Sequence, residues 1–231
     1  MGARLRSPDP RSEKKVTGDA PSTAQLTGIA DPFVRQLAAL GRVRTYPKNT
    51  VFITEGDSSD SVFVVLTGKV KVFISDTEGH EMILDTQGPG EYVGEMALDG
   101  NPRSASVMTL EPSTFAVVAR DPIREAIRKN PDFALDMISK IIDRARLATN
   151  SVKDLALLDV YGRVARLLLN MSVEKDGKLV IPDKLTQQEI AERVGASRDM
   201  VSRIFRDLTS GGYITVENRF ITINKKPPAR W

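Results

Sequence analysis

The chain is 231 residues long, enough for one large domain or two modest ones, and its 41% hydrophobic and 27% charged content is that of a globular protein. It contains no cysteine, which excludes disulfides, thiolate nucleophiles, zinc–thiolate sites and iron–sulfur clusters together. The net charge of +3 is unevenly spread: residues 160–231 carry 13 Lys and Arg against 8 Asp and Glu, and the remainder 20 against 22, so nucleic acid is expected at the C-terminal end only.

Residues 1–25 are rich in Ser, Pro, Lys and Arg and nearly free of large apolar side chains, which predicts a disordered tail. Neither a signal-peptide core nor an apolar run of the ~18 residues that a membrane span needs is present, so a cytoplasmic protein with no membrane partner is expected. A short helix follows, with Asp31 as N-cap, Pro32 next, and Phe33, Leu37 and Leu40 on one face. From Arg42 to Ala119 the apolar period changes to two. Strands are predicted at 43–46, 51–54, 62–66, 70–74, 82–86, 92–93, 105–110 and 114–119, separated by turns such as Glu55-Gly56-Asp57 and Gly88-Pro89-Gly90. This spacing argues a double-sheet jelly roll with room for a small ligand. The lone histidine, His80, follows Gly79 in a turn and reads as a surface residue.

Within that domain, Gly94-Glu95-Met96-Ala97-Leu98 is followed by Pro102-Arg103-Ser104-Ala105. A strand ending at a glycine, a helical turn, and an arginine and serine returning along the next strand would place backbone amides and a guanidinium around an anion. Glu95 could accept from sugar hydroxyls. The same residues also fit a simple glycine turn with a surface ion pair.

A helix is expected over 122–129, then a long one from Asn130 to Asp159, capped by Asn130 with Pro131 in its first turn. Ala134, Ile138, Ile141, Ala145, Ala148, Val152 and Leu155 recur at alternating steps of four and three, the seam of a helix that packs against its own copy. A helix packed only on its own domain is the alternative. The last domain opens with residues 160–173, apolar at Val160, Val164, Leu167, Leu168 and Met171, followed by a hairpin at Lys175-Asp176-Gly177-Lys178.

Thr186 and Glu189 form a capping box that starts a helix with Ile190, Ala191 and Val194 inward, and Gly195 can end it in the left-handed conformation. Ser197 then caps a second helix with Val201, Ile204, Phe205 and Leu208 inward and Arg198, Asp199, Ser202, Arg203 and Arg206 outward. Two helices joined by a tight turn, followed by strands at 213–216 and 220–223, read as a winged helix-turn-helix. Arg198 and Asp199 lie in the first turn of the second helix, the end that meets base edges in a major groove. A small helical domain with a solvated charged face is the bland alternative.

Taken together, the 94–105 cassette inside a jelly roll, the long helix, "EGHEMIL", "LALLDVYGR" and "TQQEIAERVGASRDMVSRIF" resemble the cyclic AMP receptor protein family of bacterial regulators over residues 30–224. The resemblance implies an α+β chain: an N-terminal double-stranded β-helix (jelly roll) cyclic-nucleotide-binding domain at 26–130, a dimerisation helix at 131–159 and a winged helix-turn-helix at 160–231. It implies that Glu95 binds the ribose hydroxyl and that Arg103 and Ser104 bind the cyclic phosphate, with Gly94, Met96, Ala97 and Ala105 completing the cassette. Ala148 and Thr149 from the long helices would reach the adenine. Thr186, Gln187, Ser197, Arg198, Asp199, Ser202 and Arg203 would meet DNA, with Arg198, Asp199 and Arg203 reading bases. The implied partners are double-stranded DNA with a two-fold symmetric site, a second copy of the chain and RNA polymerase.

Three departures bear on the ligand. The loop between Glu95 and Arg103 is shorter than in the best-known member, Ala148 lacks a hydroxyl beside Thr149, and Asp85 is an acid where a small hydroxyl residue is usual. In the recognition helix Asp199 replaces the usual glutamate. The leading expectation is a homodimeric transcription regulator controlled by a cyclic nucleotide, cyclic AMP first. The same regulator answering to cyclic di-GMP, another ligand or none is the second reading. A cyclic-nucleotide-gated enzyme or channel is the third, and it finds no nucleophile–base pair, metal cluster or membrane segment to support it.

Overall fold

The computed structural model describes residues 18–228. Most of the expected tail lies outside them. Its last part does not: Asp19 accepts a backbone hydrogen bond from Val43, and Ser22 and Gln25 cap a short helix α1 (Thr23–Thr27) reciprocally. Helix α2 (Pro32–Ala39) starts as expected, with the Asp31 carboxylate accepting from the Phe33 and Val34 amides and Pro32 in the first turn.

Eight strands then build the jelly roll: β1 (Arg42–Tyr46), β2 (Val51–Ile53), β3 (Val62–Thr67), β4 (Val70–Ser75), β5 (Glu81–Gln87), β6 (Tyr92–Val93), β7 (Ser106–Thr109) and β8 (Ser113–Val118). They form two four-stranded sheets of order β1-β8-β3-β6 and β2-β7-β4-β5. The first sheet is covered on both faces, which explains the nearly unbroken apolar run Val62–Leu66. Val62, Val64, Leu66, Ala116 and Val118 face a layer containing Phe33, Leu37, Ile123, Phe133 and Met137. Phe63, Val65, Phe115 and Val117 face inward onto Phe52, Ile53, Val70 and Val107.

Helix α3 (Arg120–Lys129) starts two residues before the expected Pro122, because proline needs no amide partner in a first turn. Asn130 ends α3 and its side chain accepts from the Asp132 amide at the start of α4 (Asp132–Leu157). The long helix stops short of Asp159, whose carboxylate accepts from Gly162 and caps α5 (Val160–Met171) instead. Strands β9 (Val173–Lys175) and β10 (Lys178–Ile181), helices α6 (Gln187–Val194) and α7 (Arg198–Ser210), and strands β11 (Ile214–Glu217) and β12 (Phe220–Ile223) follow. The last sheet has the order β11-β12-β10-β9 and shares one core with α5, α6 and α7.

The chain divides into two compact units: residues up to Ile74 with Leu84–Ile142, and Ser75–Ile83 with residues from Asp143 on. Helix α4 contributes to both. Among the described residues, no helix is long and apolar enough to cross a membrane.

Candidate functional site

Strand β6 ends at Gly94, whose φ of +88° lies in the left-handed region. A Cβ there would sit 2.6 Å from Arg103 Nη1 and 3.0 Å from Ser61 O, so both the backbone and the close guanidinium require glycine. A 3-10 helix, Glu95–Asp99, begins directly after it, with Glu95 in its first turn and only 6% exposed. Arg103, 5% exposed, points back under this turn. Its Nη1 donates to Gly94 O at 2.6 Å, and its Nη2 donates to Ser59 Oγ at 2.7 Å and Ser61 O at 2.8 Å.

Arg103 and Ser104 were expected on a strand, but β7 begins only at Ser106. The Arg103 amide donates to Asp57 O and its carbonyl accepts from Gly56, so the segment is tied to the loop after β2 and not to the ladder. Ser104 is exposed, and its hydroxyl donates to Met96 Sδ at 3.3 Å. Ala97 lies within the 3-10 helix and Ala105 is half-buried. Asp85 on β5 accepts from the Thr86 amide and from Gln87 Nε2.

Arg120, at the start of α3, was not singled out by the sequence. Its Nε donates to Leu98 O at 2.9 Å and its Nη2 to the same oxygen, which fixes the far end of the 3-10 helix. The fully exposed Asp99 is held below the usual carboxylate range chiefly by the Asn101 amide and side chain, with Arg120 a lesser cause.

On α4 only Phe133 and Met137 are buried. The expected seam is open: Ile138, Ile141, Val152 and Leu155 are 41–64% exposed, and Leu135 and Ile142 widen the apolar stripe. Ala148 and Thr149 are exposed on the same helix, and the Thr149 hydroxyl donates to Ala145 O at 2.9 Å.

In the second unit, the Thr186 hydroxyl accepts from the Glu189 amide while Glu189 Oε2 accepts from the Thr186 amide, and Gln187 follows as the first residue of α6. Gly195 ends α6 with φ +62°, and Ser197 Oγ accepts from Met200 to start α7. Val201, Ile204, Phe205 and Leu208 are buried, which turns Arg198, Asp199, Arg203 and Arg206 to solvent and leaves Ser202 half-buried. The wing turn is tight, with Asn218 and Arg219 at φ +51° and +70°. Arg163 on α5, also missed from sequence, donates to Leu158 O, Val194 O and Gly195 O. It thereby joins the residue after α4 to the turn between α6 and α7. No group of three or more metal-ligating side chains occurs among the described residues.

This geometry agrees with the likenesses to known proteins. Residues 43–130 match the cyclic nucleotide-binding domain family and residues 162–227 the Crp-like helix-turn-helix domain family. The cAMP-activated global transcriptional regulator CRP of Salmonella typhimurium is 32% identical over 199 residues, covering 84% of this chain and 94% of that protein. The CRP-like cAMP-activated global transcriptional regulator of Mycobacterium tuberculosis is 31% identical, covering 78% of this chain and 82% of its own length. Among solved structures, the c-di-GMP responsive global regulator CLP of Xanthomonas campestris shares the fold with a TM-score of 0.72 at 24% identity, covering 84% of this chain and 98% of that one. The chain belongs to the CRP/FNR family and is a CRP-like, cyclic nucleotide-responsive, DNA-binding transcription regulator.

Proposed function

We propose that the chain acts in the cytoplasm as a homodimer, that cyclic AMP is its ligand, and that the ligand raises affinity for a two-fold symmetric DNA site from which RNA polymerase is regulated. The observation that carries the ligand reading is the burial of Glu95 and Arg103 in one cassette around a glycine at φ +88°. Beside that glycine the cassette sets a carboxylate of the kind that accepts from ribose hydroxyls and a guanidinium of the kind that donates to a cyclic phosphate. In this reading Glu95 accepts from the ribose, Arg103 and Ser104 hold the phosphate, and the amides of residues 95–97 face the same anion. Helix α4, which contributes to both units and carries Ala148 and Thr149, transmits the change. Its open apolar stripe supports the dimer, since burying several isoleucine and valine side chains is worth ~1.5–3 kcal/mol each. Arg198, Asp199 and Arg203 read bases, while Thr186, Gln187, Ser197 and Ser202 position the helix on the backbone.

Two observations favour a second reading, the same regulator with cyclic di-GMP, another ligand or none. The Arg103 guanidinium already serves three protein acceptors, and Ala148 has no hydroxyl to offer a base. Calorimetric titration with cyclic AMP, cyclic GMP and cyclic di-GMP, each followed by DNA binding at fixed salt, separates the readings. Tightest binding of cyclic AMP with a matching gain in DNA affinity supports the first. Tighter cyclic di-GMP, or DNA binding indifferent to all three, transfers the assignment to the second.

A further inference from the structure

We propose that Met96 is a redox-sensitive modification site, at which oxidation of the thioether to the sulfoxide weakens nucleotide binding. The inference rests on the nucleotide reading of the cassette. Met96 is 63% exposed although it is large and apolar, and its sulfur accepts the Ser104 hydroxyl at 3.3 Å. Met96 also follows the buried Glu95, and Ser104 follows the buried Arg103, so this contact links the two exposed residues next to the buried pair. A chain without cysteine has no thiol to take up oxidant first. Met137 is 7% exposed and Met82, Met108 and Met171 are half-buried. Only Met200, 41% exposed on α7, competes among the described methionines.

The oxidant is a hydroperoxide such as hydrogen peroxide. A sulfur lone pair attacks one peroxide oxygen, the O–O bond breaks, and sulfur is oxidised by two electrons. The departing hydroxide takes the proton from the transferred oxygen and leaves as water. A flexible apolar side chain thereby becomes polar. The sulfoxide oxygen is a stronger acceptor than a thioether, so it holds the Ser104 hydroxyl that the nucleotide would otherwise receive.

The test is graded hydrogen peroxide treatment of the full chain, with Met96 sulfoxide measured by peptide mass spectrometry and cyclic AMP as the calorimetric probe. Met96 should oxidise ahead of Met82, Met108, Met137 and Met171. The dissociation constant should rise about tenfold, the worth of one lost hydrogen bond in a site, and methionine sulfoxide reductase should restore it. A Met96→Leu variant will have its own affinity, and peroxide should leave that value unchanged. Full Met96 oxidation without a change in affinity, or an equal loss in Met96→Leu, overturns the proposal. An untreated chain that binds no cyclic AMP defeats the cyclic AMP reading of the cassette, and the proposal, which is made for that ligand, falls with it. The two failures are distinct because the untreated titration is read before any peroxide is added.

Discussion

Replacing Arg103 by leucine removes a guanidinium that donates to Gly94 O, Ser59 Oγ and Ser61 O. The resemblance alone suggests a variant that loses the ligand and keeps its stability. The structure argues otherwise. Ser61 is 5% exposed, so its carbonyl would be left buried without a donor, at roughly 1–3 kcal/mol. The other two bonds are partly buried and contribute about 0.5–1.5 kcal/mol each. The apolar leucine side chain offsets part of this, leaving a net loss of about 2–4 kcal/mol. At about 2–4 °C per kcal/mol for a chain of this length, the unfolding midpoint should fall by roughly 10 °C. Differential scanning calorimetry without nucleotide measures it, with Arg103→Lys as an intermediate case because one ammonium cannot span all three acceptors. A midpoint within about 1 °C of the parent, read against that scale, would show that the guanidinium does not hold this loop and would refute the reasoning.

Three further outcomes follow from the geometry. Gly94→Ala places a methyl 2.6 Å from Arg103 Nη1 at a positive φ, and should cost about 2–4 kcal/mol in urea unfolding and weaken cyclic AMP binding; a neutral substitution would mean the cassette relaxes freely. The Asp31 carboxyl is lowered from its usual 3.8 chiefly by Lys140, whose Nζ lies 2.6 Å away, so its contribution is complete above that pH and lost as pH falls through the lower folded value. Asp31→Asn, which keeps the cap, should therefore destabilise by roughly 0.5–1 kcal/mol at neutral pH and converge with the parent in acid; a pH-independent gap would exclude the ion pair as the cause. Ala145→Glu sets a charge in the centre of the open stripe on α4 and should give monomers in sedimentation velocity; an unchanged dimer would place the interface elsewhere.

The features legible from sequence are those completed within three or four residues. The caps at Asp31, Thr186 and Ser197 and the left-handed Gly195 each need only a local side chain or a missing Cβ, so residue type and spacing suffice. Strand alternation and the inward face of α7 are equally local, because periodicity is a property of the element itself. The heptad spacing on α4 was visible too, although Leu135 and Ile142 broaden it once the helix is placed. What only the tertiary structure decided is the use of long polar side chains. An arginine reaches carbonyls that composition and period do not mark: Arg103 finds Ser61 42 residues away, Arg120 finds Leu98 22 away, and Arg163 finds Val194 31 away. The same holds for the chain before α1, where a polar, proline-containing stretch reads as tail but Asp19 meets Val43 through a backbone bond. Backbone groups carry no sequence identity, so such pairings emerge only when the fold brings them within 3 Å or so of each other.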